Sequence, residues 1–232
     1  MKLNNSIIII PARKNSKRIV GKNLRKLDGK PLISYTIEYA LKHVNSKNVW
    51  INSDDELALD LAKKYNISSY KRPSRLAEDE TTTNAVVIDF CKYLINEGYD
   101  FKYIITLQPT NPIRSFNLLP LAMRKIIDSK SKSLMSVSNL HQKFGKLDNN
   151  KYIPVNYKIG QRHQDLEDLF YENGLIYISS KDCMINEKKY ITDDVYPYLT
   201  NEIGAKVDID YEDDLIFAEL ILKSGINNEN SK

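Results

Sequence analysis

Apolar positions along this chain recur in alternating strand and helix patterns. Ile7-Ile8-Ile9-Ile10 is a β-branched run too short for a globular helix, closed by Pro11, and reads as a buried strand. Residues 31–44 follow as a helix: Pro31 suits its first turn, and Leu32, Ile33, Ile37, Ala40 and Leu41 recur at helical spacing. Val49-Trp50-Ile51 is a second buried strand. Asp54 is placed to cap a helix over 55–65, with Leu57, Leu61 and Ala62 as its apolar face. A short strand over 67–70, a helix over 84–96 and a core strand over 103–107 continue the alternation. Next come a helix over 116–129, with Asn117 as its cap, and a strand over 133–137. This rhythm predicts one α/β domain over 1–232 with a predominantly parallel sheet covered on both faces.

The rhythm breaks at Ser138. Residues 138–170 are polar and irregular, and a turn feeding a strand over 170–178 restores the pattern. A segment that leaves and rejoins the rhythm in this way reads as an insertion or partner surface. Lys206 to Asp210 reads as a strand of period two, with Val207 and Ile209 on one side and Asp208 and Asp210 on the other. A closing helix over 213–223 carries Leu215, Ile216, Ala218, Leu220 and Ile221 mostly toward the sheet, and the chain is expected to fray from Ile226.

Composition narrows the class. The 232 residues are 42% hydrophobic and 28% charged, as in an ordinary soluble protein long enough to bury a substantial core. The net charge of +4 suits small anionic ligands and argues against nucleic acid, because the basic residues are scattered outside the first loop. Cys91 and Cys183 have no metal spacing and read as free thiols of a cytoplasmic protein. No apolar run approaches a membrane span.

The chemistry concentrates at two places. After the first strand, Arg13, Lys17, Arg18 and Lys22 bring four cations close to one strand end, where ligands of open α/β sheets bind. Such crowding calls for an anion, and a polyphosphate fits. Asn15 stands where a turn would use a left-handed residue, and Ser16 offers a hydroxyl to phosphate. At the far end, Asp208 and Asp210 share one face and repel unless a cation lies between them; Mg²⁺ takes one or two carboxylates plus substrate phosphates. Between the two, Gln108-Pro109-Thr110-Asn111-Pro112 forms a stiff turn at a strand's carboxyl end.

Pro11-Ala12-Arg13 with Asn15-Ser16-Lys17-Arg18-Ile19, Lys22-Asn23 and the following Leu27-Asp28-Gly29-Lys30-Pro31-Leu32-Ile33 resemble the signature of the acylneuraminate cytidylyltransferases. Arg72-Pro73 with Leu76-Ala77 and Asp79, LQPTNPIR over 107–114, Arg162-His163-Gln164-Asp165, NGLIY over 173–177 and DIDYEDD over 208–214 extend the likeness in the same order along the chain. The resemblance implies a three-layer Rossmann-like nucleotidyltransferase fold and transfer of CMP from CTP to a nine-carbon 2-keto sugar acid. It implies Lys22, Arg13, Asp208 and Asp210 as catalytic, with Mg²⁺ on the two aspartates. It implies a nucleotide site of Ala12, Arg13, Asn15, Ser16, Lys17, Asn23, Arg72 and Thr82, Thr82 also reading as a helix cap. It implies a sugar site of Gln108, Arg162, Lys143 and Lys146, Arg162 taking the sugar carboxylate. It further implies a homodimer built through 138–177. Tyr171 and Glu172 stand where some sialate members carry an Arg, so legionaminate and pseudaminate remain open beside N-acylneuraminate. A glycosyltransferase and a catalytically silent nucleotide-binding protein are the rival classes.

Overall fold

The four consecutive isoleucines split two and two between opposite faces of a seven-stranded sheet. Ile8 and Ile10 join one core cluster, Ile7 and Ile9 another. A computed structural model describes Leu3 and residues 5–225; the fraying expected from Ile226 lies outside the described residues. The elements in chain order are β1 (Ser6–Pro11), a two-residue ribbon of β2 (Lys26–Leu27) and β3 (Lys30–Pro31), α1 (Leu32–Leu41), β4 (Val49–Ser53), α2 (Glu56–Lys64) and β5 (Ser68–Lys71). After them come α3 (Thr83–Asn96), β6 (Tyr103–Thr106), α4 (Leu118–Ser129), β7 (Ser133–Leu140), the hairpin β8 (Gly145–Asp148) and β9 (Lys151–Pro154), β10 (Leu169–Ser180), β11 (Tyr196–Leu199) and α5 (Glu212–Ser224).

The sheet order is β11-β7-β10-β6-β1-β4-β5. β1 pairs in parallel with both β4 and β6, and β10 runs antiparallel to its neighbours β6 and β7. Residues of α1, α2 and α4 pack on one face and those of α3 on the other, giving the three layers and the mostly parallel sheet that the alternation implies. The chain leaves β1 toward β4 on one side and returns through α3 to β6 on the other. The carboxyl ends of β1 and β6 therefore flank the point where strand order reverses, the usual ligand crevice of such sheets.

Some elements depart from expectation. Asp55, not Asp54, caps α2, accepting from the Leu57 amide at 3.0 Å. The buried positions of α2 are Ala58, Leu59 and Ala62, while Leu57 is exposed. Asn117 precedes α4 without a side-chain cap bond. α5 does not pack on the sheet. Leu215, Ala218 and Ile221 close a third cluster with Ile19, Leu27, Leu32, Val207 and Ile209, leaving Ile216 and Leu220 exposed. Residues 207–210 belong to no sheet, although their alternation holds: Val207 and Ile209 are buried and the aspartates are not.

The break after Ser138 is less irregular than its composition implies. β7 continues to Leu140 and β10 starts at Leu169, pairing Leu140 with Leu169. The true excursion is the 28 residues between these partners, 141–168, which include the separate β8–β9 hairpin. Cys91 and Cys183 are both free and buried on the α3 face. Burial pushes the Cys91 thiol up to about 11, which keeps it an inert core group. Among the described residues no helix is long and apolar enough to cross a membrane.

Candidate active site

The first loop is fastened at both ends before any ligand arrives. The Ala12 amide extends the β1 register by donating to the Asn52 carbonyl at 2.9 Å. The Lys14 amide donates to Asp54 at 2.8 Å, so Asp54 secures the loop rather than a helix. The Asn23 side chain donates back from Nδ2 to the Arg13 carbonyl at 3.0 Å. Asn15 has no positive φ and does not reach the cleft; the left-handed residue of this loop is Gly21, at φ 63°. Ala12 is buried beneath the loop and contributes backbone only.

Arg13, Ser16, Lys17, Arg18, Lys22 and Asn23 form one wall of a cleft of about 480 Å³. Two carboxylates hold the cations apart. Asp79 bonds Arg13 at 2.7 Å and Lys17 at 3.1 Å. Asp210 bonds Lys22 at 2.9 Å and also pairs with Arg18. Lys22 additionally donates to the Ile209 carbonyl at 2.8 Å, and its side chain is only 13% exposed. Asp79 thus joins the site although it had no role in the sequence reading, and Arg18, read there only as one of four loop cations, is tied to Asp210. Both stand within the motif strings, but their partners lie 66 and 192 residues away.

The opposite wall comes from β5, the start of α3 and the turn after β6. Arg72 is buried, with two nitrogens on Asn52: Nε to Oδ1 at 2.7 Å and a terminal nitrogen to the carbonyl at 3.0 Å. Burial lowers its pKa to about 10, still charged at neutral pH, and it lines the cleft with a fixed guanidinium plane. Of the two readings given for Thr82, the structure places it as the helix cap and outside the lining of the cleft. Its hydroxyl caps α3 by accepting from the Ala85 amide, and Thr81 and Thr83 line the cleft in its place. Gln108 lines the cleft, and its backbone carbonyl is held by the buried Arg114 at 2.8 Å.

Asp208 and Asp210 close the site. Desolvation at the cleft wall raises the Asp208 carboxyl; a Thr110 hydrogen bond opposes this and the Asp210 charge adds to it. Desolvation acts upward on Asp210 too, but Lys22 and Arg18 overcome it and hold that carboxyl below its usual value. Asp210 therefore has its countercharges, whereas no ion pair reaches Asp208 among the described residues. An acceptor of this kind, left without a countercharge, fits a divalent cation. Among the described residues no three His, Cys, Asp or Glu side chains gather as a complete metal cage, so such a cation would draw its remaining ligands from phosphate and water.

Arg162, Lys143 and Lys146 are not brought to this cleft. All three stand on the excursion between β7 and β10. Arg162 is 70% exposed and bonds Asp165 at 2.7 Å, Lys143 donates to the Gln161 carbonyl, and Lys146 is exposed. The sequence likeness located them by motif order, and motif order does not fix which way an excursion folds.

A family model described as cytidylyltransferase matches residues 7–228. The chain is 31% identical over 218 residues to an N-acylneuraminate cytidylyltransferase of Streptococcus agalactiae serotype V, covering 90% of this chain and 51% of that protein, so it spans about half that relative's length. It is 30% identical to a pseudaminic acid cytidylyltransferase of Campylobacter jejuni, covering 97% and 99% of the two chains. It is 31% identical to a CMP-N,N′-diacetyllegionaminic acid synthase of Legionella pneumophila, covering 94% and 96%. In fold it is similar to a CMP:2-keto-3-deoxy-manno-octonic acid synthetase solved with CTP, at a TM-score of 0.69 and 16% identity over 94% and 98% of the chains. The crevice at the strand-order reversal, lined by the cations of the first loop, belongs to a chain matched over nearly its whole length: this protein is a member of the cytidylyltransferase family.

Proposed function

We propose that this protein transfers CMP from CTP to a nonulosonic acid and releases pyrophosphate. The observation that carries the reading is convergence: Lys22, Gln108 and Asp208 with Asp210 come from three distant stretches and line one crevice. In this reading Arg13, Ser16, Lys17, Arg18 and Lys22 take the triphosphate. Lys22 meets the charge that grows as the acid's anomeric hydroxyl gives its proton to water, its oxygen bonds the α-phosphorus and the bond to pyrophosphate breaks. Arg72 faces the base and Gln108 orients the acid. Asp208 and Asp210 would hold Mg²⁺, which when bound would offset phosphate charge.

The test is pyrophosphate release from each of four nucleoside triphosphates crossed with N-acylneuraminate, legionaminate and pseudaminate, with and without EDTA. CTP with at least one of these acids, dependent on Mg²⁺, is the expected result. Turnover of a different triphosphate, or full activity in EDTA, would sink the corresponding part. The named relatives divide among all three acids at 30–31% identity, which supports the class and not one member of it.

Asp79 makes a second prediction. It sits on Arg13 and Lys17 where a phosphate would sit, so CTP must displace it. Asp79→Asn should lower the KM for CTP by about two- to fivefold, since an exposed ion pair holds its partners only weakly. A raised or unchanged KM in steady-state kinetics would mean that Asp79 does not compete with the nucleotide.

A homodimer through the excursion completes the reading. Leu147, Val155 and Ile159 are more than 60% exposed there, beside exposed Phe144, Tyr152 and Phe170. This apolar surface and the separation of Arg162, Lys143 and Lys146 from their own chain's cleft support pairing of copies, in which these cations serve the neighbour's sugar site. Sedimentation should give a dimer at micromolar concentration, and Ile159→Asp should shift it toward monomer. A wild-type monomer would overturn the arrangement.

A further inference from the structure

The segment that carries Asp208 and Asp210 has no strand partner, so something else must fix it. Hydrogen bonds to its backbone do, two of them local: the Val207 amide donates to the Gly204 carbonyl and the Asp210 amide to Asp214. The Ile209 amide donates to the Thr110 carbonyl at 2.9 Å, and Lys22 reaches the Ile209 carbonyl at 2.8 Å. A second side chain adds to the Lys22 bond: Asn111 Nδ2 donates to the Val207 carbonyl, immediately before Asp208, at 2.8 Å. Asn111 is wholly buried.

The same amide nitrogen donates its second proton to the Asn173 carbonyl at 3.2 Å. Asn173 is itself locked into the sheet. Its Oδ1 accepts from Ser136 at 2.5 Å and from the Leu175 amide at 3.2 Å, and its Nδ2 donates to Ser138 at 2.8 Å. The next residue, Gly174, sits at φ 78° and packs directly on two side-chain amides. A Cβ there would come within 2.8 Å of Asn111 Oδ1 and 3.2 Å of Gln108 Oε1. One turn thus seats Asn111 and Gln108 side by side, and Asn111 carries that position across to the carboxylate segment.

We propose that Asn111 is a positioning residue of the reaction: its amide ties the Asp208–Asp210 segment to the Gln108 turn and so fixes the two halves of the cleft relative to each other. This rests on the cytidylyltransferase reading for its kinetic consequence and on the hydrogen-bond geometry for its structural one. The chemistry requires a side chain with two protons that diverge to two buried carbonyls. An amide nitrogen supplies both, a hydroxyl one, a carboxylate none. A carboxylate there would also face carbonyl oxygens without a donor, which burial makes costly.

Two measurements on the full chain separate the parts. In hydrogen exchange, Asn111→Asp should speed exchange by ~10-fold or more in peptides covering 207–210 while β1 and β4 keep wild-type protection. Unchanged exchange at 207–210 would overturn the clamp, as would loosening spread evenly over the sheet. In kinetics, Asn111→Asp should lower kcat by roughly ten- to a hundredfold, as loss of paired buried donors implies, with the KM for CTP moving less than about threefold. Asn111→Ser should recover part of kcat. Asn111→Asp combined with Asp208→Asn should be little worse than Asp208→Asn alone, because both act on one group. Multiplying losses would show that Asn111 acts only on folding. Absence of CTP turnover in the wild type would fail the functional reading instead, and exchange at 207–210 would still decide the clamp.

Discussion

Lys22→Ala should lower kcat by about 10²–10³, the usual cost of removing one preorganised donor from developing transition-state charge. The argument starts from where Lys22 is held. Its side chain is only 13% exposed, with the Ile209 carbonyl at 2.8 Å and Asp210 at 2.9 Å, so the ammonium is fixed before substrate binds. A fixed charge loses little reorganisation energy when phosphate charge grows in the transition state, and this is where it contributes to kcat more than to ground-state affinity. The KM for CTP should therefore rise much less than kcat falls. Some stability is lost as well, because a carbonyl and a carboxylate each lose a partner; about 1–2 kcal/mol is the expected scale. Thermal melts allow kcat to be expressed per folded molecule. Lys22→Arg is the sharper control: a planar guanidinium is larger and does not reproduce a compact ammonium, so charge alone should not restore the rate. Wild-type kcat in folded Lys22→Ala would remove this lysine from the chemistry.

What the sequence made legible was what local pattern controls. Four isoleucines in a row mark a strand buried on both faces, because alternate side chains point to opposite layers and both layers are apolar. Period two also survives at Val207–Asp210 without a sheet, since the alternation of buried and open positions needs only an extended backbone. Pairings between distant residues were not legible. Asp54 and Asp55 look alike as helix caps, and only the Lys14 amide, forty residues upstream, draws Asp54 away. The same holds for Asp79, whose partners Arg13 and Lys17 lie on another layer's loop. At α5 the apolar residues occupy more of the helix circumference than the buried stripe does, so Ile216 and Leu220 could not be assigned from spacing. Arg162 is the largest departure: it belongs to an excursion whose direction depends on contacts beyond its own stretch, and in a single chain it bonds Asp165.

Asp208→Asn and Asp210→Asn should both cost at least about 10² in kcat, as loss of a fixed charge at a phosphoryl site does, yet they should move stability in opposite directions. Asp208 is destabilised as an anion, first by desolvation at the cleft wall and also by Asp210, with Thr110 opposing. Its folded pKa lies above the unfolded one, so folding is penalised once the pH rises through the folded value and is not penalised below the unfolded value. Asparagine removes that penalty. Asp208→Asn should melt at or above the wild-type temperature near pH 7–8, and the difference should vanish toward pH ~3. Asp210 has the reverse sign. Desolvation acts upward, but Lys22 and Arg18 prevail and its folded pKa lies below the unfolded one. Its contribution is present above the unfolded pKa and is lost as the pH falls through the folded value, so Asp210→Asn should melt below wild type at neutral pH. Parallel melts of the three metal-free proteins between pH ~3 and ~8 decide it. If the two variants shift in the same direction, Asp208 is not the strained carboxylate of the pair.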